Sequence, residues 1–366
     1  MASSHTVWLP GRADMTERPD SSLRPPERPA AAGPVRDPLS DVLRTVRLRG
    51  AVFFMLDISS PWTAGMPDGE TLAPIVVPQS QQVISFHVIT RGSCWGGLPD
   101  DPSHHFETGD LIVFPRGDGY FMSIPPQPPR PPNVERAFGF MRKMTSGQPP
   151  FVVTDGGGGP DQVGVICGFL GCDVRPFNPL LATLPRMLHI KGAQRAPDDR
   201  LDRLMEIAVA DARDQGPGAE SVRLRLSELM FVEVIRRYLT TLSAAETGWL
   251  AGLHDEFVGR ALGLLHERAA HPWTLDELAS DVGMSRSSFA DRFARLVGEP
   301  PIQYLTRWRM QLAARLLSDG TSKVSAVALE VGYDSEAAFS RAFKKIAGAS
   351  PAAWRQRRLA PASKQP

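Results

Sequence analysis

Two stretches of this chain are nearly the same sentence: "LASDVGMSRSSFADRFARLVGEPP", residues 278–301, and "VALEVGYDSEAAFSRAFKKIAGASP", residues 327–351. Ala279, Val282 and Gly283 recur 49 positions later as Ala328, Val331 and Gly332, while Ser285, Phe289, Phe293, Gly298 and Pro301 recur 50 positions later as Ser335, Phe339, Phe343, Gly348 and Pro351. One extra residue in the second turn explains the step. Each copy reads as a short apolar-patterned helix, a glycine turn, a serine cap and a second helix with phenylalanines four apart, which is the pattern of a helix-turn-helix. A chain that carries two such units must build an all-α region around them.

The faces of the second helices follow from the same spacing. Phe289, Phe293 and Leu296 must point inward, which leaves Ser287, Ala290, Asp291 and Ala294 outward; in the second copy Ala337, Ser340, Arg341 and Lys344 point outward, after Glu336 at the helix start. Small outward side chains let a helix enter a major groove closely, and Arg286, Arg295, Lys344 and Lys345 are placed to gather phosphates. Between the copies, "PIQYLTRWRMQLAARLL" is apolar at helical spacing. A helix of that size is roughly 25 Å long, enough to hold two heads near the ~34 Å repeat of successive major grooves. From Ser285 to the end there are 14 Lys and Arg against 6 Asp and Glu, a net +8 that leaves −7 for the rest of the chain. The asymmetry points to a polyanion at the C-terminal end. The alternative is a helical repeat that packs protein and merely solvates its cations.

Upstream the pattern changes. Residues 1–36 are rich in Pro, Arg, Ser and Ala without periodicity, and are expected to be a disordered tail. "DPLSDVLRTVRLRG" predicts one short amphipathic helix, capped by Asp37 or Ser40 and stopped by Gly50. From Ala51 to about Phe177, runs such as "AVFFMLDIS", "APIVVP", "VISFHVIT", "DLIVFPR", "RAFGFMRK", "PFVVT" and "QVGVICGFL" alternate with Gly, Pro and Asp turns, the signature of an antiparallel sandwich or barrel. "PPQPPRPP" and "DGGGGP" read as exposed loops. Beyond Pro179 the signal is helical; "SVRLRLSELMFVEVIRRYLTTL" carries Leu226, Leu229, Met230, Val234 and Tyr238 in one stripe, for either the barrel or a subunit interface. Three unevenly spaced cysteines exclude a disulfide scaffold and a four-thiolate zinc site, so a reducing cytoplasm is the default. No apolar run approaches the ~20 residues of a membrane helix.

The block from about Leu250 to Arg358, with "RWRMQLAARLL", "VALEVGYDSEAAFSRAFKK" and the closing "ASPAAWR", resembles the double helix-turn-helix domain of AraC-type transcription regulators. "DPLSDVLRTVRLRGAVFF", "FHVITRGSCW", "TGDLIVFPRGDGY", "CGFLGCD" and "LSELMFVEVIRRYL" are similar to the cupin-type sensor of one branch of that family. The resemblance implies an α+β multidomain chain: a disordered tail over 1–36, a cupin-like antiparallel β-barrel over 37–185, a helical linker or dimerisation region over 186–249, an all-α double helix-turn-helix over 250–358, and a tail over 359–366. It also implies bacterial transcription control without catalysis, double-stranded DNA and RNA polymerase as partners, a homodimer, and a small molecule or oxidant as signal. No cofactor is expected.

Metal cupins hold their ion with a His-x-His pair, a Glu and a later His. Here "FHVITRGSCW" supplies only His87, Tyr120 stands where a metal cupin offers a later His, and His104 and His105 fall in a predicted loop. A metal enzyme fused to a DNA-binding domain is therefore the alternative reading. Cys94, Cys167 and Cys172 are either small buried residues or oxidant sensors, with Cys94, beside Trp95, the sharper candidate. Phe54, Phe86, Phe114 and Phe121 would line the barrel around an apolar effector.

Overall fold

The computed structural model describes residues 37–46, 48–127, 133–146, 152–192, 199–211, 216–242 and 247–359. The tail expected over 1–36 lies outside the described residues, as does most of that over 359–366.

Helix α1 (Pro38–Thr45) starts as its sequence dictates, with Pro38 in the first turn and the Asp37 carboxylate accepting the Leu39 N–H at 3.0 Å. It ends before Gly50, which lies in strand β1 (Arg49–Ser59) and does not stop the helix. A Cβ on Gly50 would stand 2.4 Å from the Leu224 carbonyl oxygen of helix α6 (Ala219–Thr241), and the Gly50 N–H donates to Glu228 of that helix at 2.9 Å. Glycine is needed there for close approach.

Two sheets follow. The larger has the order β10-β6-β3-β9-β1-β8, formed by Leu188–Ile190, Leu111–Phe114, Gln82–Arg91, Gln162–Cys172, β1 and Val152–Gly156. Its neighbours are antiparallel except at one edge, where β1 and β8 run parallel from Met55 opposite Val152. The smaller, all antiparallel, has the order β2-β7-β4-β5, formed by Trp62–Met66, Tyr120–Ile124, Ser93–Gly97 and His104–Glu107. His104 and His105 thus belong to a strand paired with β4 rather than to a loop.

Two runs expected as strands are helices. "APIVVP" ends α2 (Gly69–Val76), whose cap is Asp68 and whose buried Leu72, Ala73 and Val76 lie on one face. "RAFGFMRK" lies in α3 (Val134–Thr145), capped by Asn133 and buried through Ala137, Met141 and Met144. The apolar alternation in each run is shorter than the helical period that wins.

The larger sheet is a wall with a core on each side. Phe54, Val83, Ile89, Phe114, Val165, Cys167 and Phe169 join the smaller sheet in one apolar cluster, whereas Phe53, Ile84, Phe86, Val88, Leu111, Val113, Ile166 and Leu170 join a second. That is the period of two of a strand buried on both faces. Helices α5 (Arg200–Asp211) and α6 cover the second face. The stripe expected on α6 is spent there: Leu226, Met230 and Val234 are buried and Tyr238 packs beside them. Only Leu229 of the five stands in solvent, 53% exposed.

The second core does not end at the two sheets. It runs on through α1 and α4 (Pro179–Thr183) into α7 (Trp249–His254), α8 (Glu256–Glu267), α9 (Leu275–Val282), α10 (Arg286–Val297) and Tyr304, Leu305 and Trp308 of α11 (Pro301–Asp319). A third core gathers Met310, Ala313, Ala314 and Leu317 of α11 with α12 (Val324–Glu330), α13 (Glu336–Ala347) and Trp354 of α14 (Pro351–Leu359).

Candidate DNA interface and sensor cavity

The two copies form matching corners. Gly283 and Gly332 take positive φ of 78° and 81°, open only to glycine at little cost, and Ser285 and Ser335 cap the following helices by accepting the N–H of Ser288 and Ala338, each at 3.4 Å. Phe289 and Phe293 lie 5.8 Å apart, ring to ring, and Phe339 and Phe343 lie 5.6 Å apart; all four are fully buried. Fixing those faces inward fixes the others outward. On α10, Arg286, Ser287, Asp291 and Arg295 are exposed and Ala290 is half-buried; on α13, Glu336, Ala337, Arg341, Lys344 and Lys345 are exposed and Ser340 is half-buried. Arg286 pairs with Asp276 at 3.3 Å, whereas Arg341 has no acidic partner among the described residues.

Three arginines near these helices serve the frame. Arg292 of α10 bonds Asp255 at 2.6 and 2.8 Å, and the same carboxylate caps α8 through the N–H groups of Phe257 and Val258. Burial opposes its ionisation, yet Arg292 and the two N–H groups outweigh it and hold the Asp255 carboxyl below its ordinary pKa. Arg309 of α11 donates to the carbonyls of Ala269 and His271, both at 2.7 Å, and of Gly332 at 3.5 Å, so it ties the first unit to the turn of the second. Burial lowers its pKa. Arg307 lies 4.1 Å over the Phe177 ring and bonds Glu299 at 3.1 Å.

The sheet domain meets this region along a polar seam inside the shared core. The Phe177 N–H donates to Gln311 of α11 at 2.9 Å. Trp249 donates its indole N–H to the Tyr304 hydroxyl at 2.8 Å, His266 Nε2 lies 2.7 Å from the same oxygen, and the His266 ring stacks on Trp308 with centroids 4.0 Å apart. Asp41 of α1 lies 3.8 Å from His266.

On the other face of the large sheet lies a cavity of about 490 Å³, bordered by β1, β2, β3, β7, β9 and α3. His87 stands on its wall with Nδ1 at 3.2 Å from Cys167 Sγ and Nε2 at 2.7 Å from the Tyr120 hydroxyl. Burial pushes the His87 pKa down to about 3, so the ring is neutral. Phe54 and Phe121 border the cavity and Phe114 stacks behind Tyr120 at 4.1 Å; Phe86 faces the opposite core, against Phe53.

The family models agree with this architecture. One described as Cupin matches residues 37–240, and one described as Helix-turn-helix domain matches residues 278–357. The chain is 32% identical over 325 residues to a putative AraC-like transcription regulator of Streptomyces antibioticus, covering 87% of this chain and 98% of that one. The chain belongs to the AraC-type transcription regulators.

Two further relatives cover most of its length. The HTH-type transcriptional regulator AlkR of Acinetobacter baylyi is 28% identical over 87% of this chain and 99% of its own, and the RCS-specific HTH-type transcriptional activator RclR of Escherichia coli is 28% identical over 76% and 87%. As an AraC-type regulator the chain is a DNA-binding protein that controls transcription, with a cupin domain ahead of its reading helices. Among the described residues, no helix is long and apolar enough to cross a membrane.

Within this AraC-type frame the three cysteines divide between the cores. Cys94, Cys167 and Cys172 are all free and buried; Cys94 and Cys167 share one core and Cys172 lies in the opposite one. Burial, and then Asp110, pushes the Cys94 thiol up to about 12; burial also raises Cys167 and Cys172. Such sites favour the thiol over the reactive thiolate. His87 meets Cys167 and Tyr120, not His104 or His105, which lie exposed on β5. Sequence reasoning passed over Arg309, Gln311, Tyr304 and His266; the signal for the first two was a polar residue inside the apolar repeat of "RWRMQLAARLL".

Proposed function

We propose that this AraC-type regulator reads its operator with two unequal heads. The observation that carries the reading is Arg341: exposed, free of acidic partners among the described residues, and flanked by the small Ala337 and Ser340 on the outward face of α13. It can make the bidentate contact to guanine. At the same place on α10 stands Asp291, with Ser287 and Ala290, a set that positions the helix or accepts a hydrogen bond from cytosine. Arg286, Arg295, Lys344 and Lys345 hold phosphates. Binding-site selection with the full chain tests this: positions under the second head should carry the higher information, and equal information under both heads would refute it.

The cupin domain takes a small-molecule effector and acts by binding, without catalysis, in the cytoplasm, changing how RNA polymerase uses the promoter. Support comes from His87, whose two ring nitrogens are engaged by Cys167 and Tyr120. Metal analysis of the purified protein separates this from the metal-enzyme alternative. A second copy pairs through the outer face of α6, where Val222 and Leu229 stand seven residues apart and exposed. An antiparallel pair centred on Leu229 brings Arg225, which bonds Glu228 of its own helix at 3.0 Å, toward Glu233 of the other copy, which bonds its own Arg236 at 3.3 Å. Leu229→Glu should turn a dimer into a monomer in sedimentation, and an unchanged profile would refute the contact.

A further inference from the structure

Deepening the reading of the cupin domain as an effector domain, we infer that the cavity between the sheets takes an uncharged, mainly aromatic compound of one to three rings that carries a single oxygen acceptor, anchored by the Tyr120–His87–Cys167 chain.

Size comes first. A cavity of about 150 Å³ holds one benzene, so about 490 Å³ holds roughly three such volumes. The walls come next. Phe54, Trp62, Met66, Phe121, Phe140 and Phe169 make the lining chiefly apolar and aromatic, so a sugar or other polyol would leave several hydroxyls without partners.

Charge narrows the class. Arg136 and Asp155 are the charged residues that border the cavity; both are exposed to solvent and pair at 3.5 Å, with Asp155 also accepting the Trp62 indole N–H at 2.9 Å. His87 is neutral. A ligand carboxylate or ammonium seated against the buried His87 and Tyr120 would have no counter-charge there, which is costly.

Hydrogen counting supplies the anchor. Tyr120, His87 and Cys167 form a chain with two internal contacts. Together the three neutral side chains carry three O–H, N–H or S–H hydrogens. Whichever tautomer His87 adopts, two hydrogens serve the contacts and one is left over at an end of the chain. Tyr120 and Cys167 are the members with a hydroxyl or thiol that border the cavity. The site therefore offers a spare donor and asks the ligand for an acceptor, as a ketone, ether or hydroxyl oxygen provides.

Calorimetric titration of the full-length protein with acetonaphthone, ethylnaphthalene and naphthoate, all of one substitution pattern, tests the assignment. The ketone should bind about fivefold to tenfold more tightly than the hydrocarbon, the difference one hydrogen bond makes, and the anion should not bind measurably. Tyr120→Phe should bring ketone and hydrocarbon within twofold of each other and leave the hydrocarbon's affinity unchanged. Filling the cavity by Val165→Trp, or by Ala64→Phe on the smaller sheet if the first variant does not fold, should abolish both. Equal affinities for ketone and hydrocarbon in the wild type, preference for naphthoate, no binding at all, or binding that survives filling in a folded protein would each overturn the inference. Repeating the titrations with operator DNA keeps the two readings apart. A ketone that binds as described without changing DNA affinity supports the cavity and refutes its effector role.

Discussion

The first helix-turn-helix and the second share a sequence but not a situation. The first has no core of its own: Leu278, Val282, Phe289 and Phe293 belong to the cluster that also holds Leu39 and Val42 of α1, Phe177, and Met230 and Val234 of α6. The second closes its own core around Phe339, Phe343 and Trp354. Two copies of one motif thus become a fixed head, packed on the cupin domain, and an outboard head held by α11 and Arg309. The outward side chains divide along the same line. Position 50 residues after Asp291 is Arg341, and 50 after Arg286 is Glu336, so the charge is inverted at two outward places while the inward phenylalanines are kept. A change in the cupin domain reaches the fixed head through packing and the outboard head through α11 and the close approach of Gly332 to Ala270.

The largest expected effect tests the welding. Trp308→Ala removes a fully buried indole from the shared core and should cost about 3–5 kcal/mol, lowering hydrogen-exchange protection in the large sheet and in α8–α10 together. Trp354→Ala, in the third core, should loosen α12–α14 and spare that sheet. If Trp308→Ala melts the first head and leaves the sheet protected, the two are separate units despite the continuous core.

Next in size is the tie between heads. Arg309→Met keeps an apolar stem but strips the donors from Ala269, His271 and Gly332, a loss of about 1.5–3 kcal/mol for a charged donor. Affinity for a full operator should fall, while affinity for a half-site under either head should not. Equal losses on full and half-sites would mean that Arg309 supports one unit only.

How much of this was legible depends on the range of the interaction. The repeat, its caps and its inward phenylalanines are local, and Gly283, Ser285, Phe289 and Phe293 declared them in order. "APIVVP" and "RAFGFMRK" look alternating over a few residues and so predict strands, while the caps that set helices α2 and α3, Asp68 and Asn133, stand outside those runs. Gly50 has the look of a helix stop, but its neighbour is α6, more than 170 residues away in the chain. The expected boundary at 249/250 falls inside a core whose members come from both sides of it. Tyr120 was visible as a departure from a metal cupin; that its hydroxyl meets His87 depends on β7 of one sheet facing β3 of the other, which no local pattern carries.

A third comparison concerns bases. Arg341→Ala should cost about 1–3 kcal/mol on the best site and relax preference at one base pair, while Asp291→Ala, at the matching place on the fixed head, should change the selected sequence little. Binding-site selection on both variants checks it. An unchanged logo for Arg341→Ala with uniformly weaker binding would reduce Arg341 to a phosphate contact and erase the difference between the heads.

The smallest effect concerns phosphates, where the heads should be alike. Arg295 and Lys345 occupy the same place in the two copies, 50 residues apart, both exposed in the last turn of their reading helices. Neither has an ion-pair partner among the described residues, so either can take a phosphate without first leaving an acid. A cation on a phosphate releases counterions and contributes about 0.9 to the slope of log affinity against log salt. Arg295→Ala and Lys345→Ala should therefore each flatten that slope by about one unit of charge, equally on operator and random DNA, and the double substitution should flatten it by about twice as much. A slope unchanged by Arg295→Ala but flattened by Lys345→Ala would show the outboard head seated on DNA and the fixed head held off it. Packing on the cupin domain, not the operator, would then decide where the first copy of the motif sits.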